Sequence, residues 1–283
     1  MPLNTAHKIA LVRIASGIVR AGRRLLGRGP ELTASRRGLK WRLDLREGID
    51  FSIYLLGTFE PLTVRCYERI VKPGDSVLDV GANIGAHTLR FAQLVGEQGR
   101  VVAVEPTRFA FLKLLANVAL NPDLVPRIQA LQRMLVADAT ETVAPAIYSS
   151  WPLVAAGPLH AEHRGRLMHT AGAGAATLDA TIQELGMRRI DLIKLDVDGN
   201  ELSVLRGARA TLHRDEPDIV VELAPCVYKA NPSEFDALLG LLWDAGYTLR
   251  RLLSGRELPR NPDAIRSLIP RAGSVNARAT KRA

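Results

Sequence analysis

Four places along this chain set carboxylates or glycines where an apolar run gives way to a turn, and each could meet a ligand. The first is Asp79-Val80-Gly81-Ala82-Asn83-Ile84-Gly85. Gly81 and Gly85 allow a tight turn and a close backbone approach, and a helix beginning there presents free N–H groups. Many nucleotide binders share that arrangement. Asn83, however, stands where a dinucleotide fingerprint needs its second glycine to admit a pyrophosphate. The turn therefore points to a nucleotide-like ligand without phosphates at this spot, and Asp79 could offset a positive charge on it. The second place is Glu105, which closes the next apolar run about 20 residues on, where an acid can hydrogen-bond ribose hydroxyls. The third is Asp138, which either accepts from an adenine amine or caps a turn.

The fourth is Lys194-Leu195-Asp196-Val197-Asp198-Gly199-Asn200-Glu201. Helix capping by Asn200 and a favourable dipole position for Glu201 account for part of it. They do not account for Lys194 and Asp196, which share one face of a strand that must otherwise be buried. The pair is a site candidate, although structural ion pairs read the same way in sequence.

Such residues need a scaffold that gathers strand ends. Apolar runs at 76–80, 101–105, 128–136, 190–196, 218–222 and 247–253 read as strands, and they alternate with helical patterns at 86–95, 108–120, 201–213 and 235–245. The alternation predicts an α/β fold with a mostly parallel central sheet and helices on both faces. The strands are nearly continuous apolar runs, as burial on both sides requires. In such sheets ligands sit beyond the carboxyl ends of the strands, near the switch in strand order. Upstream, 39–45 reads as a strand or hairpin arm, and 60–71 as a helix leading into a turn at 72–75. Residues 149–176, rich in Gly, Ala, Pro and His, break the rhythm and read as a loop or cap beside the site. His160, His163 and His169 fall there; one could act as a base, but histidines in a polar loop are more often solvated. The tail after residue 259 is expected to be poorly ordered.

The 283 residues carry a net charge of +9, unevenly placed. Residues 1–48 hold 11 Lys/Arg against 3 Asp/Glu, and residues 250–283 hold 9 against 2, so the part between is mildly acidic. That distribution argues against a nucleic-acid binder, as does the low aromatic content of 5%; the basic ends point to an anionic surface or to solvated tails. Residues 7–27 read as an amphipathic helix, with Leu11, Ile14, Ala15, Ile18 and Leu25 near one stripe and Arg13, Arg20 and Arg24 on another. Two readings stay open: an arm packed on its own domain or on a second subunit, and an interfacial helix on an anionic membrane. The two cysteines, Cys66 and Cys226, match no metal spacing. No run is apolar enough to span a bilayer, so a cytoplasmic protein, at most peripheral to the membrane, is expected.

The ordered motifs resemble the FkbM-type methyltransferases. The likeness starts at Gly57-Thr58-Phe59-Glu60, passes through Lys72-Pro73-Gly74-Asp75, 79–85 and Val104-Glu105-Pro106, and resumes at Thr177-Leu178-Asp179, 190–201 and 204–208, ending near Glu222. The resemblance implies a Rossmann-like class I methyltransferase domain at 49–255, between a basic helical arm at 1–48 and a flexible basic tail at 256–283. It implies S-adenosylmethionine as donor, a ligand that fits the phosphate-free reading of Asn83. Glu60, Asp79, Gly81, Asn83, Gly85, Glu105 and Asp138 would contact it. It also implies O-methylation of a hydroxyl on a sugar, glycan or related metabolite. Asp198 departs from the family pattern, which has a longer glutamate there. An alkyl hydroxyl needs a base to remove its proton; Asp196 is the first choice, Glu222 the second and Asp198 a third, with Lys194 counted among the catalytic residues as the partner of Asp196. No metal is expected, since no histidine stands at ligand spacing from Asp196 and Asp198. The competing readings are a nicotinamide-dependent oxidoreductase and a membrane-surface or RNA-binding protein using the basic ends.

Overall fold

The apolar runs assemble edge to edge. In a computed structural model of the chain, which describes residues 5–150, 152–154, 165–270 and 273–281, seven strands form the central sheet. They are β1 (Ser76–Val80), β2 (Arg100–Val104), β3 (Ile128–Leu131), β4 (Leu192–Leu195), β5 (Asp218–Leu223), β6 (Thr248–Arg251) and β7 (Val275–Thr280). Their order is β6-β7-β5-β4-β1-β2-β3. The pairs from β5 to β3 are all parallel, and β7 runs antiparallel between β5 and β6. This is the Rossmann-like class I methyltransferase fold, and the switch in strand order falls between β1 and β4.

Alternation along each strand sends side chains into two cores, one per face. Leu78, Val80, Val102, Val104, Ile193 and Leu195 enter one; Val77, Val101, Ala103, Leu192 and Val220 enter the other. Helices Thr88–Leu94 and Arg108–Ala119 follow β1 and β2. The helix expected at 201–213 divides at Gly207 into Glu201–Arg206 and Arg209–Arg214. The strand expected over 128–136 also divides: β3 stops at Leu131, and Arg133–Leu135 leaves the sheet to pair with Gly174–Ala176.

The C-terminal segment corrects the expectation of a loose tail. Helix Pro262–Leu268 returns the chain, and β7 inserts into the sheet. Its small Ala277 and Ala279 are fully buried, and Arg278 pairs with Asp218 at 2.9 Å. A strand of alternating alanines and polar residues shows no apolar run, which is why its pattern is silent in the sequence.

Residues 1–48 are likewise less separate than expected. The hairpin Glu31–Arg36 and Leu39–Asp44 buries Leu39, Trp41 and Leu43 in the same core as Val77. Its outer edge is clamped by two buried asparagines: Asn117 accepts from Arg42 N and Asn121 from Lys40 N, each at 2.9 Å. A helix not expected from the sequence, Gly48–Leu56, follows. Helix Thr5–Leu25 packs one face against the hairpin end. No helix among the described residues is long and apolar enough to cross a membrane.

Asp50, on helix Gly48–Leu56, joins this N-terminal layer to the sheet. Its buried carboxylate accepts from Asp44 N at 2.6 Å and pairs with Lys113 of helix Arg108–Ala119. Burial pushes Asp50 up to about 6 against the opposing pull of Lys113. Lys113→Ala leaves a buried carboxylate without its counter-charge, a change that costs about 3–5 kcal/mol. The urea midpoint at pH 7.5 should fall accordingly. The loss should shrink at pH 5, where Asp50 is protonated and needs no counter-charge.

Candidate functional site

Strand register creates the centre of the site. Parallel pairing sets Lys194 on β4 opposite Asp79 on β1, so the two side chains rise on the same face of the sheet. Lys194 is buried, with its Nζ 3.1 Å from Asp196 Oδ2 and 3.9 Å from Asp79 Oδ1. Burial works against the ammonium, but Asp196, Asp79 and Glu60 around it hold its pKa above the ordinary lysine value. Asp79 is fully buried and accepts from Thr88 Oγ1 at 2.6 Å; burial raises it, with Lys194 pulling the other way.

Beyond the strand ends lies a cavity of about 800 Å³, within the range of small-molecule sites. Four of the non-glycine residues with positive φ line it: Glu60 (46°), Asn83 (48°), Ser150 (63°) and Asp198 (51°). Left-handed backbone at such residues costs free energy and concentrates where a site demands it. Gly81 explains the tight junction of β1 and β4: a β-carbon there would lie 1.8 Å from the Asp196 carbonyl oxygen. The glycine thus serves an approach of backbone to backbone. Asn83 fills the glycine-like position. Its N–H donates to Glu105 Oε2 at 2.9 Å and its Nδ2 to Ser150 Oγ at 3.2 Å. Glu105 also accepts from Thr107 N at 2.9 Å, and burial raises its pKa against those hydrogen bonds.

At the ends of β4 and β5, oxygens of Asp196, Asp198 and Glu222 all come within 4.8 Å of one another. Burial opposes ionisation of Asp196, but Lys194 beside it carries its pKa below the ordinary value. Asp198 is reached by water from the cavity, yet desolvation by the surrounding protein and the charges of Asp196, Glu201 and Glu105 push it up to about 8. Burial and Asp196 also raise Glu222 well above a usual carboxyl, and Glu222 hydrogen-bonds Asp196. Three such carboxylates are an oxygen donor set of the kind hard divalent cations take. Sequence spacing could not show it, because Glu222 arrives from a different strand. Glu201, buried beneath the turn, accepts from Val197 N at 3.2 Å, Gly199 N at 3.3 Å and the Tyr228 hydroxyl, holding the loop that carries Asp198.

Among the residues singled out in the sequence, Glu60, Gly81, Asn83, Glu105, Lys194, Asp196, Asp198 and Glu222 line this one cavity. Three do not. Asp79 lies beneath it as the partner of Lys194. Gly85 backs onto Leu114, whose Cδ1 would sit 2.7 Å from a β-carbon there. Asp138 is exposed and caps a turn, accepting from Thr140 N at 2.9 Å. It misses the cavity because β3 ends early, and Arg133, Met134 and Leu135 line the wall instead. His169 is exposed on strand Arg166–His169; His160 and His163 lie outside the described residues.

Two cavity groups went unread in the sequence. His87 is buried, its Nδ1 3.2 Å from the Tyr67 hydroxyl and its Nε2 without a hydrogen-bond partner, Glu60 Oε2 standing 3.9 Å away. Burial, with Lys194 nearby, pushes it down to about 3, so its ring is neutral. Its place one turn beyond Asn83 was the available signal. Asn276 of β7 donates to Glu60 Oε2 at 3.1 Å and Thr63 Oγ1 at 2.8 Å, and no motif announces it.

The sequence also matches a known family. Residues 79–249, more than half of the chain, match the model of the methyltransferase FkbM domain. The chain is 32% identical over 173 residues to methyltransferase sdnD of Sordaria araneosa, covering 52% of this chain and 66% of that protein. It is 30% identical over 176 residues to the 31-O-demethyl-FK506 methyltransferase FkbM of Streptomyces tacrolimicus, with the same coverage. It therefore spans slightly less than two thirds of either relative. A crystal structure of methyltransferase FkbM from Methylobacillus flagellatus KT superimposes with a TM-score of 0.44 at 16% identity, covering 81% of this chain and 52% of that one. With the family match lying across the strand ends that build the cavity, the chain belongs to the FkbM methyltransferase family.

Proposed function

We propose that this methyltransferase takes its methyl group from S-adenosylmethionine and passes it to a hydroxyl of a sugar, glycan or related metabolite. The observation that carries the reading is a single cavity lined by the glycine turn, Glu105 and three converging carboxylates. The residues present fit the donor. Glu105 Oε2 accepts one N–H from Asn83 and retains a lone pair for a ribose hydroxyl. Pro106, Met134, Leu135 and Val204 give the adjoining wall an apolar surface for a purine. The name of the S. tacrolimicus relative, an O-demethyl methyltransferase, supports oxygen as the receiving atom.

S-adenosylmethionine supplies a methyl group already activated on sulfonium, so an O–CH3 bond forms as the S–CH3 bond breaks and the hydroxyl proton must leave. Holding both reactants in one cavity supplies much of the rate, on the order of 7–11 kcal/mol in well-oriented pairs. Asp196, kept ionised by Lys194 at 3.1 Å, accepts the hydroxyl proton in a hydrogen bond and orients the oxygen. Glu222 and Asp198, both with raised affinity for protons, share the proton once it is released. Their titration belongs to the cluster rather than to one residue.

Calorimetry should show binding of S-adenosylmethionine and S-adenosylhomocysteine, and none of NAD; absence of binding by both adenosyl ligands would overturn the assignment of the donor. Labelled donor with a panel of glycans, lipid-linked sugars and hydroxylated metabolites then reads the acceptor. Asp196→Asn should leave donor affinity largely intact and lower turnover by about 10²–10⁴-fold; unchanged turnover removes Asp196 from that role.

The proton-accepting form of the cluster appears as pH rises, so kcat/KM should climb around pH 8 to a plateau, as the cluster holding Asp198, pushed up to about 8, gives up its proton. Asp198→Asn should displace that limb of the profile. The same shift has a stability consequence. A carboxyl whose folded pKa lies above its unfolded value destabilises the fold increasingly as pH rises between the two. Asp198→Asn should therefore raise Tm at pH 9 relative to wild type, with the difference vanishing below pH 4.

A further inference from the structure

Helix Thr5–Leu25 has a fixed rotation about its axis. Val12, Ala15 and Val19 pack on the cluster of Leu45, Phe51 and Leu153. Between them Ser16, fully buried, donates its hydroxyl to the Leu45 carbonyl at 2.6 Å. With that face committed to the protein, Leu11, Ile14, Ile18 and Leu25 form a second apolar stripe on the outside, 54%, 62%, 68% and 88% exposed. The spacings of three, four and seven residues keep them on one line of the helix. Arg13, Arg20 and Arg24 lie on a third face of the helix, Arg20 Nε donating to Ser16 Oγ at 3.2 Å, and the helix contains no acidic residue. Contiguous apolar surface of this kind is rare on a monomer unless something covers it.

We propose that this outer face docks the protein on an anionic lipid bilayer, the apolar stripe entering the acyl boundary and the arginines meeting the headgroups. A helix with one exposed apolar face and a separate basic face is the kind that such a boundary fits. Charge complementarity selects it over a second copy of this chain. A symmetric pair would set two helices side by side that each carry several basic residues and no carboxylate, whereas an anionic leaflet neutralises that charge. The packing face explains why the docking helix is attached rigidly rather than through a free tether. The docked surface adjoins the cavity, which Val12 and Arg13 of the same helix line.

The test is sedimentation of the full chain with vesicles of phosphatidylcholine plus phosphatidylglycerol, and with phosphatidylcholine alone. Binding should require the anionic lipid and weaken with added salt. Ile14→Gln with Ile18→Gln, both exposed, should reduce the bound fraction about tenfold or more while leaving the melting curve and S-adenosylhomocysteine affinity unchanged. Arg20→Glu with Arg24→Glu should reduce it as well. Wild-type protein remaining in the supernatant with anionic vesicles overturns the proposal, as does a double isoleucine variant that sediments like wild type. A dimer in sedimentation velocity that the isoleucine variant dissociates also overturns it and assigns the stripe to self-association.

Discussion

The buried ammonium of Lys194 is the interaction on which the rest of this site depends. Placing one charge in the interior costs several kcal/mol even after relaxation, and it persists only with well-placed counter-charges. Here the register of β1 and β4 supplies Asp79 from below, and the same strand supplies Asp196 two residues on. Full burial pushes Asp79 toward its neutral form and that lysine draws it back, while the same lysine carries the pKa of Asp196 down at the cavity floor. The requirement that both strands meet at the switch in strand order also explains Gly81, because the Asp196 carbonyl occupies the space of a side chain there. One electrostatic triad thus fixes the backbone approach, the strand register and the protonation of the reacting end.

Around this centre the fold spends stability on geometry. Left-handed backbone at Glu60, Asn83, Ser150 and Asp198 is held in place by neighbours that satisfy it. Glu105 takes the N–H of Asn83, Asn83 reaches Ser150, and Glu201 beneath the 197–199 turn accepts two backbone N–H groups. Carboxylates crowded at the strand ends add mutual repulsion, which Lys194 offsets only in part. Departures from local preference that gather at one cavity, each with its own support, are what a functional site imposes on a scaffold.

The ends of the chain take part in this arrangement. β7 places Asn276 against Glu60, so residues far from the family motifs complete the wall. Helices Thr5–Leu25 and Gly48–Leu56 add Val12, Ile49 and Ser52 to the lining. The FkbM-type motifs therefore describe the floor of the cavity, while its walls come from segments that carry no motif.

The sequence by itself determined the elements whose burial is two-sided. Runs such as 76–80 and 101–105 have no alternative to the interior of a parallel sheet, and their ends then had to gather Asp79–Gly85, Glu105 and Lys194–Glu201 near one switch point. Local chemistry also made Asn83 legible, because a side chain in a glycine position leaves a mark on any ligand that fits. What the tertiary structure decided was everything set by register and distance between strands. Glu222 joins Asp196 only through the pairing of β4 with β5, Asp79 turns from the cavity to Lys194, and Asp138 falls outside because β3 is four residues long. β7 was hidden because alanines packed between two strands need no apolar run, their burial being dictated by neighbours rather than by their own hydrophobicity. Side chains on one strand can be assigned to a face by counting, but which strand lies beside it is a property of the whole chain.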